Sequence, residues 1–177
     1  MALLAGCDVN NNDAPSASTS GATAAETAVS SGGPNKTLRD YLAANKITET
    51  QVRPGESGVP VIRLPAPPPG WTDAGTQTPT WAIGALVYTQ IAEPQNPPTV
   101  TVILSRLNGD ADPAKVLEMA PGELRNLPDY QPLGEPASVS LDGKEAVQFS
   151  GTYSRDGVRR VIAQKTVAIP LPRKLFT

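Results

Sequence analysis

Residues 138–169 read SVSLDGKEAVQFSGTYSRDGVRRVIAQKTVAI, and this stretch decides the fold. Asp142-Gly143 and Asp156-Gly157 each lie between runs in which apolar and polar residues alternate. An aspartate-glycine pair accepts the positive φ that a two-residue hairpin turn requires, so it is a strong hairpin signal. The stretch reads as a meander: Ser138–Leu141, a turn, Glu145–Tyr153, a second turn, and Val158–Ile169. The last part of the chain is therefore an antiparallel sheet.

Moving upstream, Asp112-Pro113 opens a helix that carries Val116, Leu117 and Leu124, with a break at Pro121-Gly122. Aspartate caps the free N–H groups of a first turn, and proline at the next position loses nothing by lacking a donor. Two further strands are expected at Ala82–Gln90 and Thr99–Leu107, joined through Pro94, Pro97 and Pro98. Residues 51–64 hold two short extended pieces with Val59, Val61, Ile62 and Leu64, broken by Pro60. The run from Pro65 through Pro69 and Gly70 to Trp71 is expected to be irregular and to wrap the domain edge. A first helix starts behind Thr37, where Asp40 completes a capping box and Leu38, Tyr41 and Leu42 share one face. Strands and helices in separate runs make the fold class α+β.

Residues 8–36 are rich in Ala, Ser, Thr, Asn and Gly and contain no aromatic residue, Leu, Ile or Phe. Such a segment cannot bury enough apolar surface to offset the entropy of ordering it, and it reads as a flexible leash of about 30 Å root-mean-square span. Ahead of it, Leu4-Ala5-Gly6-Cys7 has the form of a bacterial lipobox, an apolar residue and two small ones before a cysteine. The thiol of Cys7 would accept a diacylglyceryl group, and the small residues would admit the peptidase that makes this cysteine the mature N-terminus. Only six residues precede Cys7, so the basic and apolar regions of a secretion signal are expected upstream. The chain thus divides into a signal remnant (1–7), a linker (8–36) and a folded domain (37–177).

The 177 residues contain 15 Lys+Arg against 17 Asp+Glu, a balance of −2 that offers no basic excess for nucleic acid. There is no histidine, which removes Ser-His, Cys-His and His-metal chemistry together. One cysteine excludes an internal disulfide. Asn108-Gly109-Asp110-Ala111-Asp112 alternates oxygen ligands, but Pro113 and Met119 stand where a calcium loop needs Gly and Glu. The carboxylate pairs Asp110 with Glu118 and Glu123 with Asp129 read as solvated charge, and Ser150, with Lys165 as a conceivable base, has no activating partner fixed by spacing. Arg155, Arg159, Arg160 and Lys165 read as charge along an exposed strand, with Arg159 and Arg160 on opposite faces. No catalytic residue, metal site or cofactor is expected. Trp71, Trp81, Tyr88, Phe149 and Tyr153 supply the large apolar groups of a core or its rim, and Tyr88, Phe149 and Tyr153 are the candidates for an apolar ligand groove.

Taken together, the lipobox and leash, Thr37-Leu38-Arg39-Asp40-Tyr41-Leu42, Val87-Tyr88-Thr89-Gln90, Asp112 to Leu117, Ala120 to Pro128, Gly151-Thr152-Tyr153-Ser154 and Ala163 to Val167 resemble the LpqN/LpqT family of mycobacterial envelope lipoproteins, its LpqN branch more than the other. The resemblance implies a PsbP-like fold, a twisted antiparallel sheet with packed helices. It also implies a non-enzymatic lipoprotein, lipid-anchored in the membrane on its extracytoplasmic face, that handles envelope lipid or glycolipid beside RND-type transporters. The alternative is a protein-interaction module that docks on envelope transporters or host proteins without carrying lipid. The family pattern continues beyond Pro170 with another apolar strand and a closing helix. Leu171-Pro172-Arg173-Lys174-Leu175-Phe176-Thr177 departs from it, so an open sheet edge and a marginally stable domain are expected.

Overall fold

The computed structural model describes residues 33–170 except 54, 55, 58, 60, 61, 64 and 92–95. Cys7, most of the leash and Leu171–Thr177 lie outside the described residues. The elements follow in the order α1 (Leu38–Ala44), β1 (Thr48–Gln51), β2 (Trp71–Asp73), a 3-10 turn at Gly75–Gln77, β3 (Gly84–Tyr88), β4 (Thr99–Val102), β5 (Ser105–Asn108), α2 (Pro113–Met119), α3 (Gly122–Arg125), β6 (Gln131–Pro132), β7 (Ala137–Leu141), β8 (Lys144–Arg155) and β9 (Val158–Val167).

The meander forms as its turns dictate. Asp142 and Gly143 have φ of 49° and 72°, and Asp156 and Gly157 have 52° and 73°, the left-handed pair of a tight hairpin. β8 pairs antiparallel with β9 over its length from Ala146 to Arg155, and on its other edge with β7 and then β6. Three short strands, β2-β3-β4, form a second antiparallel sheet, and β1 pairs with β5.

Two expectations are corrected. Thr99–Leu107 is not one strand: β4 pairs with β3, then the chain changes partner and β5 pairs with β1. The alternation breaks there, since Leu104 and Ser105 are both buried, and the Leu104 carbonyl accepts the Val52 N–H. Trp71 does not belong to an irregular edge. Its N–H closes a turn on the Pro68 carbonyl, and it then opens β2 opposite Tyr88, the ring centroids 5.4 Å apart. The prolines end at Pro69, so the ladder has its donors from Trp71 onward.

The helices lie where their caps place them. Thr37, fully buried, accepts the Asp40 N–H, and the Asp40 carboxylate accepts the Thr37 N–H at 2.9 Å. Asp112 caps α2 by accepting the Ala114 N–H at 2.9 Å. Leu38, Leu42, Ile47, Leu107, Val116 and Ala168 form one cluster between α1, α2 and β5. Val52, Leu104, Ala146, Val167 and Ile169 form a second, and Ala120, Leu124, Val147 and Phe149 a third where α3 meets β8.

The approach of the chain to α1 is fixed at Gly122. A Cβ there would lie 2.0 Å from the Lys36 carbonyl oxygen, a backbone atom that cannot swing aside. Gly122→Ala is expected to destabilise the fold by about 3 kcal/mol or more, the upper range for forced overpacking, read as a lowered urea midpoint at unchanged slope. A midpoint within experimental error of the unsubstituted chain would contradict the contact.

Candidate functional site

Beside α3 the surface opens into a hollow of about 250 Å³, lined by Asn35, Pro121, Arg125, Tyr130, Pro132, Gly134, Glu135, Pro136 and Phe149. Its floor comes from β8. Phe149 points to the same face as Val147 and Tyr153 because side chains two apart along a strand share a face. The Tyr130 ring packs against Gly151, where a Cβ would collide with it, and its hydroxyl donates to the Ser150 carbonyl at 3.1 Å. Burial raises the Tyr130 pKa against the opposing pull of Arg125, so at neutral pH the hydroxyl keeps its proton and the bond.

One wall is carried by the segment before α1. Asn35 N–H donates to Asn126 Oδ1 at 3.0 Å, Asn126 Nδ2 donates back to the Asn35 carbonyl at 2.9 Å, and Asn35 Nδ2 donates to Asn126 Oδ1 at 3.1 Å. Residues 33–36, which the sequence assigns to the leash, are thereby clasped to the end of α3. The loop Gly134-Glu135-Pro136 that joins β6 to β7 supplies another part of the lining. The lining combines two aromatic rings and three prolines with an amide, a guanidinium and a carboxylate, and Arg125, Glu135 and Pro132 are exposed. This set can cover an apolar ring face while hydrogen-bonding its polar edge.

The sequence profile described as "Probable lipoprotein LpqN" matches residues 34–176. The chain belongs to the LpqN lipoprotein family. It is 47% identical over 146 residues to "Lipoprotein LpqN" of Mycobacterium tuberculosis strain H37Rv, covering 81% of this chain and 62% of that protein. It is 27% identical over 136 residues to "Putative lipoprotein LpqT" of Mycobacterium leprae, covering 75% of this chain and 57% of that one. The chain thus spans about three fifths of the length of these relatives. It also superposes on the crystal structure of LpqN "involved in cell envelope biogenesis of Mycobacterium tuberculosis", with a TM-score of 0.73, 48% identity, and coverage of 79% of this chain and 80% of that one. The mixed α and β architecture with antiparallel sheets is that of this LpqN structure.

The structure separates the three aromatic candidates. Phe149 forms part of the hollow, Tyr153 is buried on the same face of β8, and Tyr88 lies in the other sheet against Trp71. Trp81 is 47% exposed and belongs to no core cluster. Asn35, Arg125, Tyr130 and Glu135 were not singled out by sequence. Only Tyr130 carries a local signal, as an aromatic residue next to a turn in which Asp129 has φ of 52°. Glu118 pairs with Lys115 at 2.7 Å, and no group of three or more potential metal ligands occurs among the described residues. No helix among the described residues is long and apolar enough to cross a membrane.

Glu123 sits on α3 with its carboxylate facing the first turn of α1, where Oε1 accepts the Arg39 N–H at a long 3.4 Å. Desolvation raises its pKa above the ordinary 4.5, outweighing the backbone donors and the Arg39 charge. A raised acid pKa means that the folded chain binds the proton more tightly than the unfolded one. Stability from this group is therefore fullest below pH 4.5 and falls as pH rises through the raised value. Glu123→Gln is expected to remove that fall, so thermal midpoints of the two proteins converge at acidic pH and the variant gains as pH rises to 7. Parallel curves across the range would contradict the raised pKa of this carboxyl, whose residue is otherwise exposed.

Proposed function

We propose that the chain is a non-catalytic, membrane-anchored envelope lipoprotein that binds the headgroup of an amphipathic lipid or glycolipid in the hollow and assists envelope lipid transport, in company with an RND-type transporter. The observation that carries this reading is the hollow's composition: Phe149, Tyr130 and three prolines together with Asn35, Arg125 and Glu135. A sugar ring offers the matching surface, C–H groups on its face and hydroxyls on its edge. Pockets for drug-sized ligands run from about 300 to 1,000 Å³. At about 250 Å³ the hollow suits a headgroup or a single ring, with the acyl chain left outside it. A PsbP-like arrangement of sheet and helices, which the family resemblance implies, would suit this use by setting a strand under the ligand. The relation of the LpqN structure to cell envelope biogenesis supports the same setting.

Dodecyl maltoside, titrated below its micelle concentration into isotopically labelled protein, tests the site. Backbone signals of Asn35, Arg125, Tyr130 and Glu135 are expected to shift together, and Arg125→Ala is expected to weaken binding about tenfold through loss of a charged hydrogen bond. Shifts confined to other surfaces, or equal affinity in the variant, would refute the placement.

Anchoring is tested separately. In a chain carrying a complete secretion signal, Cys7→Ala is expected to move the protein from the detergent phase to the aqueous phase on Triton X-114 partition. Unchanged partition would remove the lipidation of Cys7 from this reading.

A further inference from the structure

The sheet around β8 has two faces, and the hollow uses one. On the other, three cross-strand rows run Gln131–Thr152–Val161, Leu133–Ser150–Ala163 and Ala137–Gln148–Lys165. Arg159, opposite Ser154, extends the β9 column, and its Nε donates to Thr152 Oγ1 at 3.0 Å, which lays the guanidinium along this face. The next row, Val139–Ala146–Val167, is sealed in the second core cluster, so one end of the face is covered and the rest is open among the described residues.

The open part has two unusual properties. Val161 and Leu133 are 66% and 61% exposed, the most exposed large hydrophobic residues among those described, and both belong to it. Its three rows and the Ser154–Arg159 pair contain two cations and no Asp or Glu, in a chain whose balance is −2. Positive charge is therefore concentrated locally where apolar side chains protrude. Ser150 and Thr152 separate Leu133 from Val161 by about 12 Å, from strand and residue spacings, so no contiguous apolar centre exists of the kind a protein interface packs around. An added β-strand would use the edge of β9 and leave these face residues unused.

We propose that this face docks on an anionic bilayer, with Leu133 and Val161 entering the headgroup layer and Arg159 and Lys165 against lipid phosphates. Small side chains between them let the sheet lie close to the surface. Docked this way, the hollow on the opposite face points away from the bilayer. The proposal does not depend on what the hollow binds or on acylation of Cys7.

The test uses the full chain with Cys7→Ala, so that no acyl group contributes, and flotation with vesicles of phosphatidylglycerol and phosphatidylcholine or of phosphatidylcholine alone. Binding is expected only to the anionic vesicles and is expected to fall with salt. Arg159→Ala/Lys165→Ala is expected to reduce the partition coefficient about 30-fold, whereas Lys46→Ala/Lys115→Ala, the same charge change elsewhere, is expected to leave it within about twofold. Leu133→Ser/Val161→Ser is expected to reduce it as well, with thermal unfolding confirming that each variant is folded. Failure to float with anionic vesicles, or equal loss in the Lys46/Lys115 control, would overturn the proposal. Binding of a soluble glutamate-rich peptide by the chain in place of vesicles would overturn it in favour of a protein surface. Dodecyl maltoside binding unchanged in the face variants separates this result from the fate of the hollow.

Discussion

The period of two along β8 is the constraint on which the rest of the structure depends. Val147, Phe149 and Tyr153 turn to one side and are buried, while Gln148, Ser150 and Thr152 turn to the other. β6, β7 and β9 all take their register from this strand. A slip by one residue would carry Phe149 to the open face and Ser150 into the third core cluster, which no local adjustment could offset. The Asp142-Gly143 and Asp156-Gly157 turns fix that register at both ends of β8. Gly151 belongs to the same constraint: it stands on the buried side among larger residues because the Tyr130 ring occupies the place of its side chain.

What could be read from sequence was whatever is encoded within a few residues. The hairpin turns, the Thr37–Asp40 box and the Asp112-Pro113 helix start are local devices, and each stands where its residues place it. The misread segments depend on partners distant along the chain. Thr99–Leu107 looks like one strand because its residues favour extension throughout, yet β4 and β5 answer to different neighbours. Trp71 looks like the end of a proline run because the strand that pairs with it lies seventeen residues on, at Tyr88.

The hollow was less legible than the fold for the same reason. Phe149 could be found because alternation marks an inward aromatic residue. The Asn35–Asn126 clasp joins residues 91 apart through amide groups that carry no periodic signal. Asn35 stands in a stretch whose composition is that of a linker, and composition cannot show that its last few residues are held. Arg125 and Glu135 read as ordinary solvated charges, since only the shape of the surrounding surface brings them to one rim.

The clasp also bears on how the domain would respond to a ligand in the hollow. Asn35 is both a wall of the hollow and part of the segment through which the chain reaches α1. Its bonds to Asn126 run through one side-chain amide, and intramolecular hydrogen bonds are worth only about 0.5–1.5 kcal/mol each. A ligand that held Asn35 in place would thus be coupled to the segment by which the chain enters α1, where Lys36 lies against Gly122. The part of the hollow that carries the Asn35 amide is in this way continuous with the segment by which the chain enters α1, whereas Phe149 belongs to β8, whose register the hairpin turns fix.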